Sequence, residues 1–244
     1  MSINKLTNKI KRIVKEKGIS ESESIRLSLY TFIDFSLLIS AQAVWCRQKE
    51  KLSMKRIFDN SLHKNLEIRM DKLLEATQLY FSLVKEHPPF TDLISMVYEE
   101  LAIADGQAKQ FGQYFTPPDI ARALAHLLAA DSVSRDFESL PTTIGDPCSG
   151  SGSLVMAQLE LIHQHSPEML KYISVFVNDV DEKPLRACCL QILANMGEHK
   201  LSLHSITAVI SNVITNYTTG GELFMEYKGI TKITNEMLKL ETIL

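Results

Sequence analysis

Aromatic residues are scarce, at 7% of 244 residues, and Trp45 is the single tryptophan. Any core is therefore mainly aliphatic, which the 45% hydrophobic content of the chain can supply. Ten glycines and eight prolines are too few for a collagen-like or low-complexity chain. The four cysteines, Cys46, Cys148, Cys188 and Cys189, form no C-x-x-C pair, which argues against a disulfide framework or a zinc ribbon. Seven histidines lack ligand-type spacing with acids, so no metal site is expected. A formal net charge of −3 does not suit a dedicated, strongly basic nucleic-acid module. No targeting segment is legible in Met1 to Ser20, and the expected location is cytoplasmic. The long apolar run from Ile25 to Trp45 is interrupted by Arg26, Asp34 and Gln42, so it reads as a buried helix and not a membrane span.

The first part of the chain, residues 1–109, reads as a helical domain throughout. Leu6, Ile10, Ile13 and Val14 make an apolar stripe beside a basic face of Lys5, Lys9, Lys11 and Arg12. Gly18-Ile-Ser20 ends one helix, and Ser20 or Ser22 can cap the next. Later helices are expected over residues 61–86 and 92–104, separated by the His87-Pro-Pro-Phe90 break. The basic clusters read first as solvated helix faces and second as phosphate contacts.

The chemistry begins further on. Ile144-Gly-Asp-Pro-Cys-Ser-Gly-Ser-Gly-Ser-Leu154 is a short apolar approach, an acid and a Gly-Ser-Gly turn, followed by a helix with Leu154, Val155, Leu159 and Ile162 at helical spacing. Gly150 and Gly152 permit positive φ and a close backbone approach to a ligand, while the helix start favours anionic or polar groups. A second strand, Ile173-Ser-Val-Phe-Val-Asn-Asp179, also ends in an acid, placed where a ribose would be held. A carboxylate at Asp146 repels a pyrophosphate and welcomes a cationic amino or sulfonium group. A nucleoside carrying an amino acid fits this pattern better than a dinucleotide.

These segments, with Phe111-Gly-Gln-Tyr-Phe-Thr-Pro-Pro118 ahead of them, resemble adenine-N6 DNA methyltransferases, in particular the modification subunits of type I restriction systems. The resemblance covers roughly Phe111 to Ile214. It implies S-adenosylmethionine as cofactor, with Tyr114, Phe115 and Thr116 at its methionine end. Asp146 and the backbone of Cys148, Ser149, Gly150, Ser151 and Gly152 would hold its amino-acid part. Asp179 would take the ribose hydroxyls and Val180 one face of the adenine. Asp181 is either a second ribose ligand or a helix N-cap with Pro184 in the first turn. The implied fold is α/β: an N-terminal helical domain followed, over residues 110–244, by a truncated Rossmann-like methyltransferase core.

The resemblance breaks at the target-base pocket. Such enzymes carry an Asn-Pro-Pro-aromatic tetrapeptide that grips the flipped base, and this chain has none; its Pro-Pro pairs follow His87 and Thr116. Asn212, in Ile206-Thr-Ala-Val-Ile-Ser-Asn-Val-Ile214, has two readings. It ends the third strand beside the cofactor's adenine, the preferred reading, or it is the remnant of a decayed fourth strand and a weak catalytic candidate. Leu223 to Tyr227 is a short strand candidate. The first strand is left as an apolar edge, to be covered by the N-terminal helices, the Phe224 segment or a second protein. Expected partners are DNA, reached through a partner subunit, and a specificity or second methyltransferase subunit. The alternative function is an inactive cofactor-binding or regulatory module of a restriction–modification complex.

Overall fold

The computed structural model describes residues 2–15, 18–48, 51–55, 67–105, 116–132, 141–215 and 220–229. Four N-terminal helices come first: α1 (Ile3–Ile10), α2 (Glu21–Gln48), α3 (Met70–Glu86) and α4 (Leu93–Asp105). A short strand, β1 (Lys51–Met54), lies between α2 and α3. Then follow α5 (Pro118–Ser132), β2 (Thr142–Asp146), α6 (Ser153–His165), a 3₁₀ turn at Pro167–Tyr172, β3 (Ile173–Asp179), α7 (Glu182–Glu198), β4 (Ser205–Ile210) and β5 (Glu222–Lys228).

The N-terminal part is thus not helical throughout. Lys51–Met54 pairs antiparallel with β5, with Lys51 opposite Lys228 and Met54 opposite Met225. Such pairing across the whole chain leaves no local signature in four residues. Among the described residues, the helix expected over 61–86 begins at Met70, and residues 61–66 lie outside the described residues.

The strands form one mixed sheet in the order β1-β5-β4-β3-β2. β2, β3 and β4 are mutually parallel, while β5 runs antiparallel between β4 and β1. The Phe224 segment is a strand, as expected, but it does not shield β2. It joins the opposite side of the sheet, and β2 is the terminal strand among the described residues. The parallel pairing of Asp179 with Ile210 makes β4 the third strand of a β2-β3-β4 series.

Both crossovers, β2-α6-β3 and β3-α7-β4, advance the same way across the sheet, so handedness puts α6 and α7 on one face. On that face Ile144, Val175, Val177, Ile206 and Ala208 are buried. On the other, Gly145 and Phe176 are exposed, and Ser205 donates to Ser174 across the strands at 2.9 Å. Parallel strands are usually apolar on both faces. Here the second face of β2–β4 carries mostly Ser, Thr and Gly, chemistry that tolerates water.

α7 is the pivot of the core. Its Leu185, Ala187, Cys188, Cys189, Leu190, Ile192 and Leu193 are all buried, and the helix touches the sheet on one side and α2, α3 and α4 on the other. One apolar cluster runs from Leu6 in α1 to Tyr227 in β5. α2 is long and apolar enough to cross a membrane by length and composition, but its most apolar window is 61% buried inside the protein. Leu29, Phe32, Ile33 and Leu37 are at most 1% exposed, and Arg186 of α7 reaches Asp34 of α2 at 2.8 Å. The expected cap is present, with the Glu23 amide donating to the Ser20 hydroxyl.

Candidate functional site

The parallel strands β2, β3 and β4 end side by side, which brings Asp146, Asp179 and the Ser211–Asn212 corner to one edge of the sheet. Ligands of open α/β sheets collect at this carboxyl end. The turn after β2 is built as the two glycines suggest: Gly150 has φ +54° and Gly152 φ +96°. Gly152 sits as the N-cap of α6, and a Cβ there would come within 2.6 Å of Cys188 Sγ. Space above Gly150 is open among the described residues, with none of their atoms within 4 Å of the place a Cβ would occupy. The first glycine therefore leaves room for a ligand, and the second lets α6 close on α7.

Asp146 lies under this turn and is 9% exposed. Its Oδ1 accepts the Cys148 amide at 3.0 Å. Its Oδ2 is buried and has no hydrogen-bond partner among the described residues. Burial pushes the Asp146 carboxyl up, the Cys148 amide pulls it back in part, and the negative charge of Asp179 raises it again. A buried carboxylate oxygen without a donor is costly unless something completes it. A cationic amino group is the natural complement.

Asp179, at the tip of β3, accepts two amides, Gly150 at 2.8 Å and Asp181 at 2.9 Å. Each oxygen keeps a further lone pair, so the carboxylate can still receive ligand hydroxyls. Val180 beside it is 67% exposed, an apolar surface next to the acid. Asp181 is the N-cap of α7, its side chain accepting the Lys183 amide at 2.9 Å. A cleft of about 230 Å³ opens between α2 and the start of α7 beside Asp181. Its charged lining is paired internally, by Arg186 with Asp34 and by Lys183 over the Tyr30 ring at 4.6 Å.

Asn212 follows β4 and is exposed, its Oδ1 accepting the Ile214 and Thr215 amides of its own turn. Thr116 stands just before α5 and is partly buried. Tyr114 and Phe115 lie outside the described residues. Cys148 is exposed in the turn, while Ser149 and Ser151 are buried. The Ser151 hydroxyl is turned inward, 3.0 Å from that of Ser95, which leaves only its backbone for a ligand.

Asn178 was not singled out from sequence. It is 2% exposed, and its amide nitrogen donates to Pro147 O at 2.8 Å and Ser211 O at 3.0 Å. The Ser211 hydroxyl donates back to Asn178 Oδ1 at 2.6 Å. This one side chain ties the turn after β2 to the corner after β4. A fully polar amide in an otherwise β-branched run, next to Asp179, was the available signal.

No curated protein sequence matches this chain. A family model described as N-6 DNA Methylase matches residues 90–226, from the loop ahead of α4 to the later part of β5. That span includes both glycines of the turn, both strand-end acids and the corner at Asn212, and it exceeds half of the chain. The chain belongs to the N-6 DNA methylase family.

Proposed function

We propose that this protein binds S-adenosylmethionine at the carboxyl ends of β2, β3 and β4 and serves adenine-N6 modification of DNA within a restriction–modification system. The observation that carries the reading is the buried Oδ2 of Asp146, without a partner among the described residues, beneath a glycine turn that those residues leave open and alongside Asp179. The cofactor's amino group would complete Asp146, its ribose hydroxyls would reach Asp179, and its adenine would lie on Val180 towards the Asn212 corner. Thr116, with Tyr114 and Phe115 before it, would border the methionine end. Bound there, the cofactor supplies a sulfonium-activated methyl group. The protein's own residues orient it and keep its charged end on the buried carboxylate. In this reading the three parallel strands are the first half of a Rossmann-like methyltransferase sheet, and the N-terminal helices form the domain that precedes it.

A second reading is favoured by one specific observation: the sequence contains no Asn-Pro-Pro-aromatic tetrapeptide to grip a flipped adenine. The chain would then sense the cofactor without chemistry, or work with a partner subunit that brings the target-base pocket and reads the DNA. Titration calorimetry with S-adenosylmethionine, followed by tritiated methyl transfer to mixed-sequence DNA, separates these. Binding with transfer supports an active enzyme. Binding without transfer supports the regulatory or partner-dependent module, and absence of binding rejects both.

A further inference from the structure

The His87-Pro-Pro-Phe90 break does more than separate α3 from α4. Phe90 is fully buried and holds φ at +65°, a conformation that a bulky residue adopts only when its surroundings enforce it. Its amide donates to Asn195 Oδ1 at 2.6 Å, and the Asn195 amide group donates to Gln191 O at 2.8 Å. Gln191 is 1% exposed and uses both ends of its side chain. Its Oε1 accepts the Ile94 amide at 3.1 Å, while its Nε2 donates to Asp92 Oδ1 at 2.8 Å and to Ser151 O at 3.1 Å. Ser95 then meets the hydroxyls of Ser151 and Ser153 at 3.0 and 2.9 Å.

The start of α4 is therefore joined, through buried polar contacts, to the two serines that frame Gly152. These groups are buried away from solvent, so water cannot replace a lost partner, and the network is costly to leave half made. We infer that the loop from Phe90 to Ser95, acting through Gln191, is a positioning element that sets the conformation of the glycine turn for its ligand. This rests on the cofactor reading above and adds to it a residue on α7 and a loop of the helical part that act on the site without lining it. Gln191 and Ser95 are positioning residues, since the ligand side of the turn belongs to the backbone of residues 148–152.

Full-length Ser95→Ala and Gln191→Leu, with Gln191→Glu as the variant that keeps an acceptor for Ile94 but loses the donor to Ser151, provide the test. Each is titrated with S-adenosylmethionine under conditions where circular dichroism shows it folded, and amide hydrogen exchange is followed over residues 148–153 in the ligand-free protein. The expected result for Ser95→Ala is an affinity about tenfold weaker, equivalent to about 1.4 kcal/mol, with faster exchange confined to the turn. Both Gln191 variants should weaken binding, because both lose the donor to Ser151 O. Wild-type affinity in the folded variants would overturn the inference. If the wild-type protein itself does not bind, the cofactor reading fails, and the exchange data alone decide: unchanged protection of the turn in Ser95→Ala and Gln191→Leu rejects the positioning role.

Discussion

The Gly150 amide donates to Asp179 Oδ2 at 2.8 Å, so the acid at the tip of β3 also holds the turn that follows β2. The two halves of the candidate site are not independent. On the proposed reading, a change at Asp179 would remove a ligand group and release the turn together.

Asp179→Ala should accordingly weaken S-adenosylmethionine binding by about 2–4 kcal/mol, the size of one or two charge-assisted hydrogen bonds. Calorimetry reads this directly. An affinity equal to wild type would remove Asp179 from the site.

The two glycines should separate stability from binding. Gly152→Ala meets Cys188 Sγ at 2.6 Å and a φ of +96°, so it should lower thermal stability sharply, by about 3 kcal/mol or more. Gly150→Ala meets no atom of the described residues and bears only the left-handed φ, about 1 kcal/mol. Its chief effect should fall on cofactor affinity. Equal melting temperatures for the two variants would contradict the geometry of the turn.

At Asp146 stability and function should oppose each other. Burial raises this carboxyl in the folded state, so the folded protein holds the proton more tightly than the unfolded chain, and stability falls as pH rises through the carboxylate range. Asp146→Asn removes that penalty. The ligand-free variant should melt roughly 2–5 °C above wild type at pH 7, and the gap should close as pH drops below about 4, the ordinary aspartate value. Cofactor binding should be lost in the same variant. A lower melting temperature at pH 7 would mean that the native charge has a partner.

The link between α2 and α7 offers a control remote from the turn. Arg186 and Asp34 are 12% and 6% exposed at their side chains and 2.8 Å apart, with Glu182 also on the guanidinium. Asp34→Ala should cost about 3 kcal/mol because it leaves a largely buried cation short of a partner. Chemical denaturation measures it, and a loss below about 1 kcal/mol would show that Glu182 alone suffices.

Local features were legible from residues alone. The Ser20 cap, the helices after Gly152 and Asp181, the strands ending in Asp146 and Asp179 and the β5 candidate near Phe224 all depend on neighbours within a few positions. Periodicity and capping chemistry reveal such features. Asp181 was open between ligand and cap, and the amide of Lys183 shows that it serves at least as the cap. Asn178 escaped notice because its partners, Pro147 and Ser211, lie more than thirty residues away on either side.

What the sequence determined by itself is the strand–turn–helix order from Ile144 to Asp179 and the chemistry at the strand ends, since an acid, a glycine turn and an amphipathic helix are written in consecutive residues. The tertiary structure alone decided that Lys51–Met54 becomes a strand beside β5, that β2 ends the described sheet, and that Asp92 and Gln191, separated by 99 positions, meet beneath the glycine turn. Those choices come from burying apolar faces around α7 and pairing buried polar groups across the chain. Their partners are distant in sequence, so no local pattern encodes them.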